Sequence, residues 1–340
     1  MTTKKNHWHR LLALISMALV VLGLGLFNPK ATDTAYASST KTTTVKIGVD
    51  YGSLAYLQII AKEKGYFTAN GINAKLTNYA SGVDILNGIV LGQVQIGAGY
   101  DYAATTRLAT KSNLRIVSKL ATDTDTTHWF TVASSIKKVS QLKGKTIGVL
   151  KGTSEEYLWA KELASAGLTT KDVTIKQFSS KAETITALQQ GSVDGIIGEQ
   201  EYKKQISAIS DVHTLNNQGD IDQNELAMVF SNSTFAKNHP KVLQAYLKAL
   251  TQANNYIKTH KNEAAKISAN YLNLKTADGK AAMAGYKYDV SFSQADYKHL
   301  QTIANWTYKN KVITSPVTIN KYLNLSALRN LDSGAVTYSK

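Results

Sequence analysis

Residues 47–53 read IGVDYGS and residues 147–153 read IGVLKGT, so that Ile47, Gly48, Val49, Gly52 and Ser53 recur as Ile147, Gly148, Val149, Gly152 and Thr153. A second pair follows in the same order. YASGVDILNGIVLGQVQIGAG (79–99) aligns without a gap on FSSKAETITALQQGSVDGIIG (178–198), matching Ser81 with Ser180, Asp84 with Glu183, Gly92 with Gly191 and Gly99 with Gly198. One such match arises easily by chance; two in the same order mark an internal duplication.

Each copy reads as strand, helix, strand, helix, strand: 45–50, 54–65, 72–79, 82–91 and 94–98, then 145–150, 154–166, 173–178, 181–190 and 193–198. Alternating β and α elements predict an α/β chain of two similar lobes, each a mainly parallel sheet flanked by helices. The apolar runs HWFTVAS (128–134) and LAMVFSNS (226–233) serve as two crossover segments joining the lobes. Residues 238–340 read as mostly helical, with Leu243, Leu247, Leu250 and Ile257 on one stripe behind Pro240 in the first turn. The expected division is 45–128 with 230–340 for the first lobe and 129–229 for the second.

The N-terminus is patterned differently. Lys4, Lys5 and Arg10 precede the apolar run LLALISMALVVLGLGLF (11–27), and Ala35-Tyr36-Ala37 stands before Ser38. Charged region, apolar core and A-x-A site are the order of a secretory signal peptide, expected here over 1–37, with 38–44 as a flexible leader. The apolar run is also just long enough to stay as an anchor if it is not cleaved. The chain has no cysteine, hence no disulfide and no lipid-acceptor Cys. Removing residues 1–37 deletes four cations (Lys4, Lys5, Arg10, Lys30) and one acid (Asp33), which lowers the formal charge from +15 to +12. The excess is spread singly or in pairs such as Lys137-Lys138, with no RNA-binding aromatic signature, so retention at an anionic envelope fits better than nucleic-acid binding.

Ligands of open α/β sheets bind beyond the carboxyl ends of the strands. The turns at Gly52-Ser53 and Gly152-Thr153-Ser154 are therefore expected to face a cleft from opposite sides, with Ser81 nearby, and to offer hydroxyls and helix N–H groups to an anion. Asp101 and Glu199, just past equivalent strand ends, are expected to receive an amino group, and Tyr51, Tyr100 and Trp129 to wall the cleft. A nucleotide-binding phosphate loop is excluded, because no Gly-Lys-Ser/Thr follows Gly152. Ser134 and Ser135 stand three before Lys137 and Lys138, but the other elements of acyl enzymes with that spacing are absent. His128, His213, His239, His260 and His299 show no metal-ligand spacing, so neither a metal nor a catalytic residue is expected. Arg107, Arg115 and Arg329 all fall away from the cleft loops, which disfavours bidentate recognition of a carboxylate and favours a sulfonate-like group held by N–H and hydroxyl donors.

GYFTANGI (65–72), LNGIVLGQVQIG, VSQLKGKTIGVLKGTS, LQQGSVDGI and NHPKVLQAYLKALTQANNYI together resemble the exported substrate-binding proteins of ABC importers for nitrate, sulfonates, taurine and thiamine precursors. The resemblance spans about residues 45–310. It implies the type II periplasmic-binding fold and a monomeric receptor, without cofactor or chemistry, that carries a small anionic or zwitterionic ligand to a membrane permease. Two departures stand out: GIIGEQEYKKQ (195–205) replaces a Trp-x-Pro-type stretch of many relatives, and the lipid-acceptor Cys is missing. The alternatives are a binder of thiamine-pyrimidine precursors, or an enzyme-like relative of the same fold, and a membrane-anchored sensory domain. Enzymes of that fold depend on cysteines, which this chain lacks.

Overall fold

The computed structural model describes residues 42–110, 113–124 and 127–339. The expected signal peptide and residues 38–41 of the leader lie outside them. The leader ends before residue 44, because strand β1 (Thr43–Val49) starts at Thr43, whose N–H donates to Gly71 O at 2.8 Å.

The first copy continues through helices α1 (Tyr56–Glu63) and α2 (Tyr66–Ala69), strand β2 (Ile72–Asn78), helix α3 (Gly82–Val90) and strand β3 (Ile96–Tyr100). The helix expected over 54–65 stops at Lys64, where Gly65 takes φ +72, a left-handed conformation open to glycine. Helix α4 (Asp101–Leu108) and strand β4 (Leu114–Asp123) follow, neither of them marked by the repeat. Strand β5 (His128–Ala133) enters a second sheet, where β6 (Thr146–Leu150), α5 (Glu155–Ser165), β7 (Thr174–Phe178), α6 (Lys181–Gln189) and β8 (Gly195–Glu199) restate the order of the first copy. After α7 (Lys203–Ile206) and β9 (Val212–Asn217), β10 (Leu226–Asn232) returns to the first sheet. The remainder consists of α8 (Ser233–Asn238), α9 (Pro240–Thr259), α10 (Lys261–Leu272), α11 (Thr276–Ala284), β11 (Tyr286–Tyr288), α12 (Gln294–Lys309) and α13 (Ser326–Leu331).

The sheets are ordered β11-β4-β10-β3-β1-β2 and β7-β6-β8-β5-β9. In the first, β2, β1, β3 and β4 share one direction and β10 and β11 oppose it; in the second, only β5 opposes the others. The chain changes sheet between Asp123 and His128 and again between Asn217 and Leu226, a few residues before the expected 128/129 and 229/230 boundaries. His128 already pairs with Glu199, while Leu226 pairs with Thr122 and Ala227 with Tyr100.

Close packing explains two glycines, one of them, Gly198, repeated from Gly99. A Cβ on Gly97 would lie 2.2 Å from Ile85 Cγ2, so α3 can lie on β3 only over a bare backbone. A Cβ on Gly198 would lie 2.3 Å from the Trp129 indole. Ser81 and Ser180 cap α3 and α6 identically, each Oγ accepting the N–H three residues on (Asp84, Glu183) at 3.3 Å. Such caps contribute about 1 kcal/mol each. The α9 stripe is buried in the first sheet's core, and the second sheet has a core on each face, Phe130, Trp159 and Ile197 on one and Ile185, Leu188 and Ile206 on the other.

Glu162 is buried on α5, with Oε1 accepting a bond from Asn216 Nδ2 at 2.8 Å and Oε2 accepting none. Burial raises its pKa to about 7, against the pull of Asn216. The folded state then holds a proton that the unfolded chain releases near pH 4.5, so this group's contribution to stability falls as pH rises from about 4.5 to 7 and is level above. Glu162→Gln is expected to be neutral at pH 4.5 and stabilising by about 1–2 kcal/mol at pH 8, after allowance for solvent screening. Urea unfolding at both pH values checks this; an equal change at the two would refute it.

Candidate ligand-binding site

The ends of β3 and β8 are equivalent points of the duplication, and each leads into an acid where the two sheets meet. Asp101, 1% exposed at the start of α4, is fully engaged. Its Oδ1 accepts the Tyr102 N–H at 2.7 Å; its Oδ2 accepts the Leu226 N–H at 2.8 Å and lies 2.6 Å from His299 Nε2. Burial disfavours charge on His299, but the bond to Asp101 outweighs it and raises the imidazole pKa. Glu199 lies 2.7 Å from Lys181 Nζ and 3.9 Å from His128 Nε2. Burial works against its charge as well, yet Lys181 and His128 hold the carboxyl below its usual range. Lys181, at the first turn of α6, also pairs with Glu155 and donates to Ile197 O at 3.2 Å.

The two crossover segments bring a second acidic group together. His128 Nδ1 lies 3.5 Å from Asp123 Oδ2, 3.3 Å from Glu225 Oε2 and 2.8 Å from Gln218 Oε1. Gln218 Nε2 donates to Asp123 Oδ2 at 2.8 Å and to Thr124 O at 2.9 Å, and Asp123 Oδ1 accepts the Glu225 N–H at 2.6 Å. Burial opposes a charge on His128, but Glu225, Asp123 and Glu199 more than compensate and raise its pKa to about 10. Burial pushes the Glu225 carboxyl up; the Ser154 hydroxyl beside it favours its charge, yet neither oxygen receives a well-aligned hydrogen bond. Asp123, His128 and Glu225 present ligand-type atoms within 4.8 Å of one another.

Aromatic side chains close the same region. Tyr102 on α4 donates to Glu156 Oε2 on α5 at 2.6 Å. Its ring stacks on Tyr157 at 6.4 Å, and Tyr157 meets Trp306 of α12 edge-on at 4.9 Å. The three rings form a small buried cluster with Ile303, where burial raises the Tyr157 pKa to about 12.

The turn after β6 is used differently from the expectation. Gly152 takes φ +74, as the tight strand-to-helix turn requires, and Thr153 Oγ1 donates to Leu150 O at 2.7 Å. The Leu150 N–H donates to Glu155 Oε2 at 2.7 Å and the Gly152 N–H to Glu156 Oε1 at 3.4 Å. Amides expected to meet an external oxyanion are filled by the chain's own carboxylates, because two glutamates open α5. Ser154 is buried beside Glu225. In the first copy the Gly52 N–H donates to Asp50 Oδ1 at 3.1 Å; Ser53 opens a 3-10 turn, and its side chain lies outside the described residues.

Three expected wall or contact residues are placed elsewhere. Tyr51 is 57% exposed on its turn. Ser81 is occupied as the cap of α3. Trp129 lies in the core of the second sheet, because the face of β5 opposite His128 packs on α6 and α7; there it borders a cavity of about 450 Å³ with Thr131, Ile206, Val212 and His213. Tyr100 stays near the acids, its hydroxyl 2.7 Å from that of Tyr286. The residues that sequence reasoning did not bring to the site are Tyr102, Asp123, His128, Glu156, Tyr157, Glu225, His299 and Trp306. They come from six separate stretches of chain, so no linear spacing could have linked them; adjacency to Asp101 was the sole signal, and it pointed at Tyr102.

Residues 56–264 match the family model described as NMT1/THI5 like. The chain belongs to the NMT1/THI5-like family. Among curated relatives of this NMT1/THI5-like chain, a Bacillus subtilis protein named for binding aliphatic sulfonates is 25% identical over 297 residues, 81% of this chain and 84% of its own length. A Haemophilus influenzae protein named for thiamine biosynthesis is 24% identical over 276 residues, 78% and 85% of the two lengths. The alkanesulfonate-binding protein SsuA from Xanthomonas axonopodis pv. citri, bound to MOPS, superposes with a TM-score of 0.73 at 19% identity, covering 84% of this chain and 99% of that one. The desulfurization enzyme DSZB also shares the fold, with a TM-score of 0.66 at 16% identity over 86% of this chain and 99% of its own. At these identities the superpositions speak for the two-lobed periplasmic-binding fold of the NMT1/THI5-like chain, and for nothing finer.

Proposed function

We propose that this chain is the solute-binding component of an ABC importer, which closes two lobes on a small molecule and hands it unchanged to a membrane permease. The sequence signals in 1–37 support export, and the two curated relatives support a small-molecule ligand. The observation that carries the reading is the convergence of Asp101 and Glu199, equivalent ends of a duplicated unit, on the junction of two sheets connected by only two strands' worth of crossover. Such a junction hinges, and a hinge between two ligand-facing surfaces is a capture device. The chain acts as a monomer in this reading, with Glu199 and Tyr100 at the ligand.

The charge of the junction narrows the ligand. Beside the buried Asp123–His128–Glu225 cluster, Asp101, Glu155, Glu156 and Glu199 face Lys181 and His299, so the surroundings favour a cation over an anion. A ligand with an ammonium or amino-heterocycle end fits, as in a taurine-like zwitterion or a thiamine-precursor aminopyrimidine; a bare sulfonate or nitrate does not.

Calorimetry of the full chain with 4-amino-5-hydroxymethyl-2-methylpyrimidine, taurine, ethanesulfonate and nitrate separates these outcomes. Binding of an amine-bearing compound without turnover is expected, and Glu199→Gln, at the partly exposed acid of the pair, should weaken it by about 10- to 100-fold, the loss of one charge-assisted hydrogen bond. Tighter binding of ethanesulfonate would sink the charge argument, and conversion of any bound ligand would sink the transport reading.

A further inference from the structure

The Asp123, His128 and Glu225 cluster is built as a metal centre rather than as part of an organic ligand's pocket. Its side chains are 0%, 7% and 4% exposed, which leaves no room for more than an ion. A four-coordinate Zn²⁺ binds nitrogen and oxygen at roughly 2.0–2.2 Å, which places neighbouring ligand atoms about 3.3–3.5 Å apart. The Nδ1 of His128 lies 3.3 Å from Glu225 Oε2 and 3.5 Å from Asp123 Oδ2, the separations such a shell requires. A separate observation points the same way: Glu225 is 3% exposed, and both its carboxylate oxygens lack a hydrogen-bond partner. Its counter-charge is the His128 imidazole at 3.3 Å, and a divalent ion bonded to the carboxylate directly would satisfy it better.

The outer partners are present too. His128 Nε2 faces Glu199 Oε1 at 3.9 Å, longer than a hydrogen bond, and Lys181 fixes Glu199 at 2.7 Å; a small approach on metal binding would turn this pair into the carboxylate–histidine arrangement that orients metal-bound imidazoles. Gln218 Nε2 holds Asp123 Oδ2 at 2.8 Å, while Gln218 Oε1, 2.8 Å from Nδ1, has to give up its hydrogen bond and is placed to become a fourth oxygen ligand.

We propose that Asp123, His128 and Glu225 form a buried site for a divalent transition-metal ion that ties together the two crossover segments between the sheets. Asp123 ends β4, His128 begins β5 and Glu225 precedes β10, so one ion is bonded to both connections at once. On binding, the Nδ1 proton of His128 leaves to solvent and Nε2 keeps its proton toward Glu199. The site constrains the hinge on which lobe closure turns. It stands on these residues alone, independent of which solute the lobes carry.

The test uses the full chain, stripped with chelator and titrated with Zn²⁺ alone by calorimetry, with melting followed in parallel. One ion per chain and a rise in melting temperature are expected. Glu225→Gln should weaken binding by more than 100-fold while leaving the metal-free protein about as stable as the parent, since an amide of similar shape replaces a buried carboxyl. His128→Gln should lose the ion as well, and Glu199→Gln should weaken it about 10- to 100-fold, as loss of an outer partner does. No stoichiometric binding to the stripped chain, or binding that Glu225→Gln and His128→Gln leave unchanged, would overturn the proposal. The second result would assign the ion to surface histidines.

Discussion

A Lys181→Met chain is expected to lose about 3–5 kcal/mol of folding stability in denaturant titrations at pH 7. Methionine nearly matches the lysine stem in volume, so packing changes little and the loss reports charge. Lys181 Nζ sits among Glu155, Glu199 and the Ile197 carbonyl with its side chain 4% exposed. Without it, the buried Glu155 carboxylate retains the Leu150 N–H as its partner but has no counter-ion. The pairing itself raises the lysine pKa despite burial, which is the signature of carboxylates that outweigh desolvation. Adding Glu155→Gln should recover much of the loss, because the orphaned charge is then gone. A Lys181→Met chain within 1 kcal/mol of the parent would show that the network contributes no net stability.

Trp159→Ala is expected to cost about 3–5 kcal/mol, the range for deleting a fully buried aromatic. Trp159 has no exposed surface, meets Phe130 edge-on at 4.9 Å and fills the space left by Gly195, where a Cβ would lie 3.2 Å from the indole. The second sheet's core on this face is small, so the cavity has few neighbours able to collapse into it. Trp159→Phe should cost much less, since the indole Nε1 is buried without an acceptor and its removal offsets part of the lost volume. Equal losses for Ala and Phe, read from urea midpoints, would mean that the site tolerates a void and that the packing account is mistaken.

Most of the architecture was legible in the chain because the duplication repeats short-range physics. β1, α1, β2, α3 and β3 are found again as β6, α5, β7, α6 and β8, each set by period-2 and period-3.6 patterns and by Ser81 and Ser180 at the helix starts. α4 and β4 escaped because the sequence match ends at Gly99 and Gly198, although α7 and β9 follow β8 in the same order, and the crossover boundaries slipped because HWFTVAS and LAMVFSNS are apolar whichever sheet they join. The anion reading of Gly152-Thr153-Ser154 was the larger departure. Glycine and hydroxyls at a helix start do suit an oxyanion, but Glu155 and Glu156, next in sequence, fold back and fill those amides themselves. Asp101 and Glu199 could be picked out as strand-end acids because they follow the matched glycines Gly99 and Gly198.

What the sequence determined alone is therefore local and periodic: the duplicated α/β order, the two crossings, the helical C-terminal third and two acids at matched strand ends. What the tertiary structure decided is which charges meet. A chain with formal charge +15 gathers acids where its two sheets meet, because folding brings Asp123 and Glu225, more than a hundred residues apart, each within 3.5 Å of His128, and Coulomb interactions depend on distance in space, not on separation along the backbone.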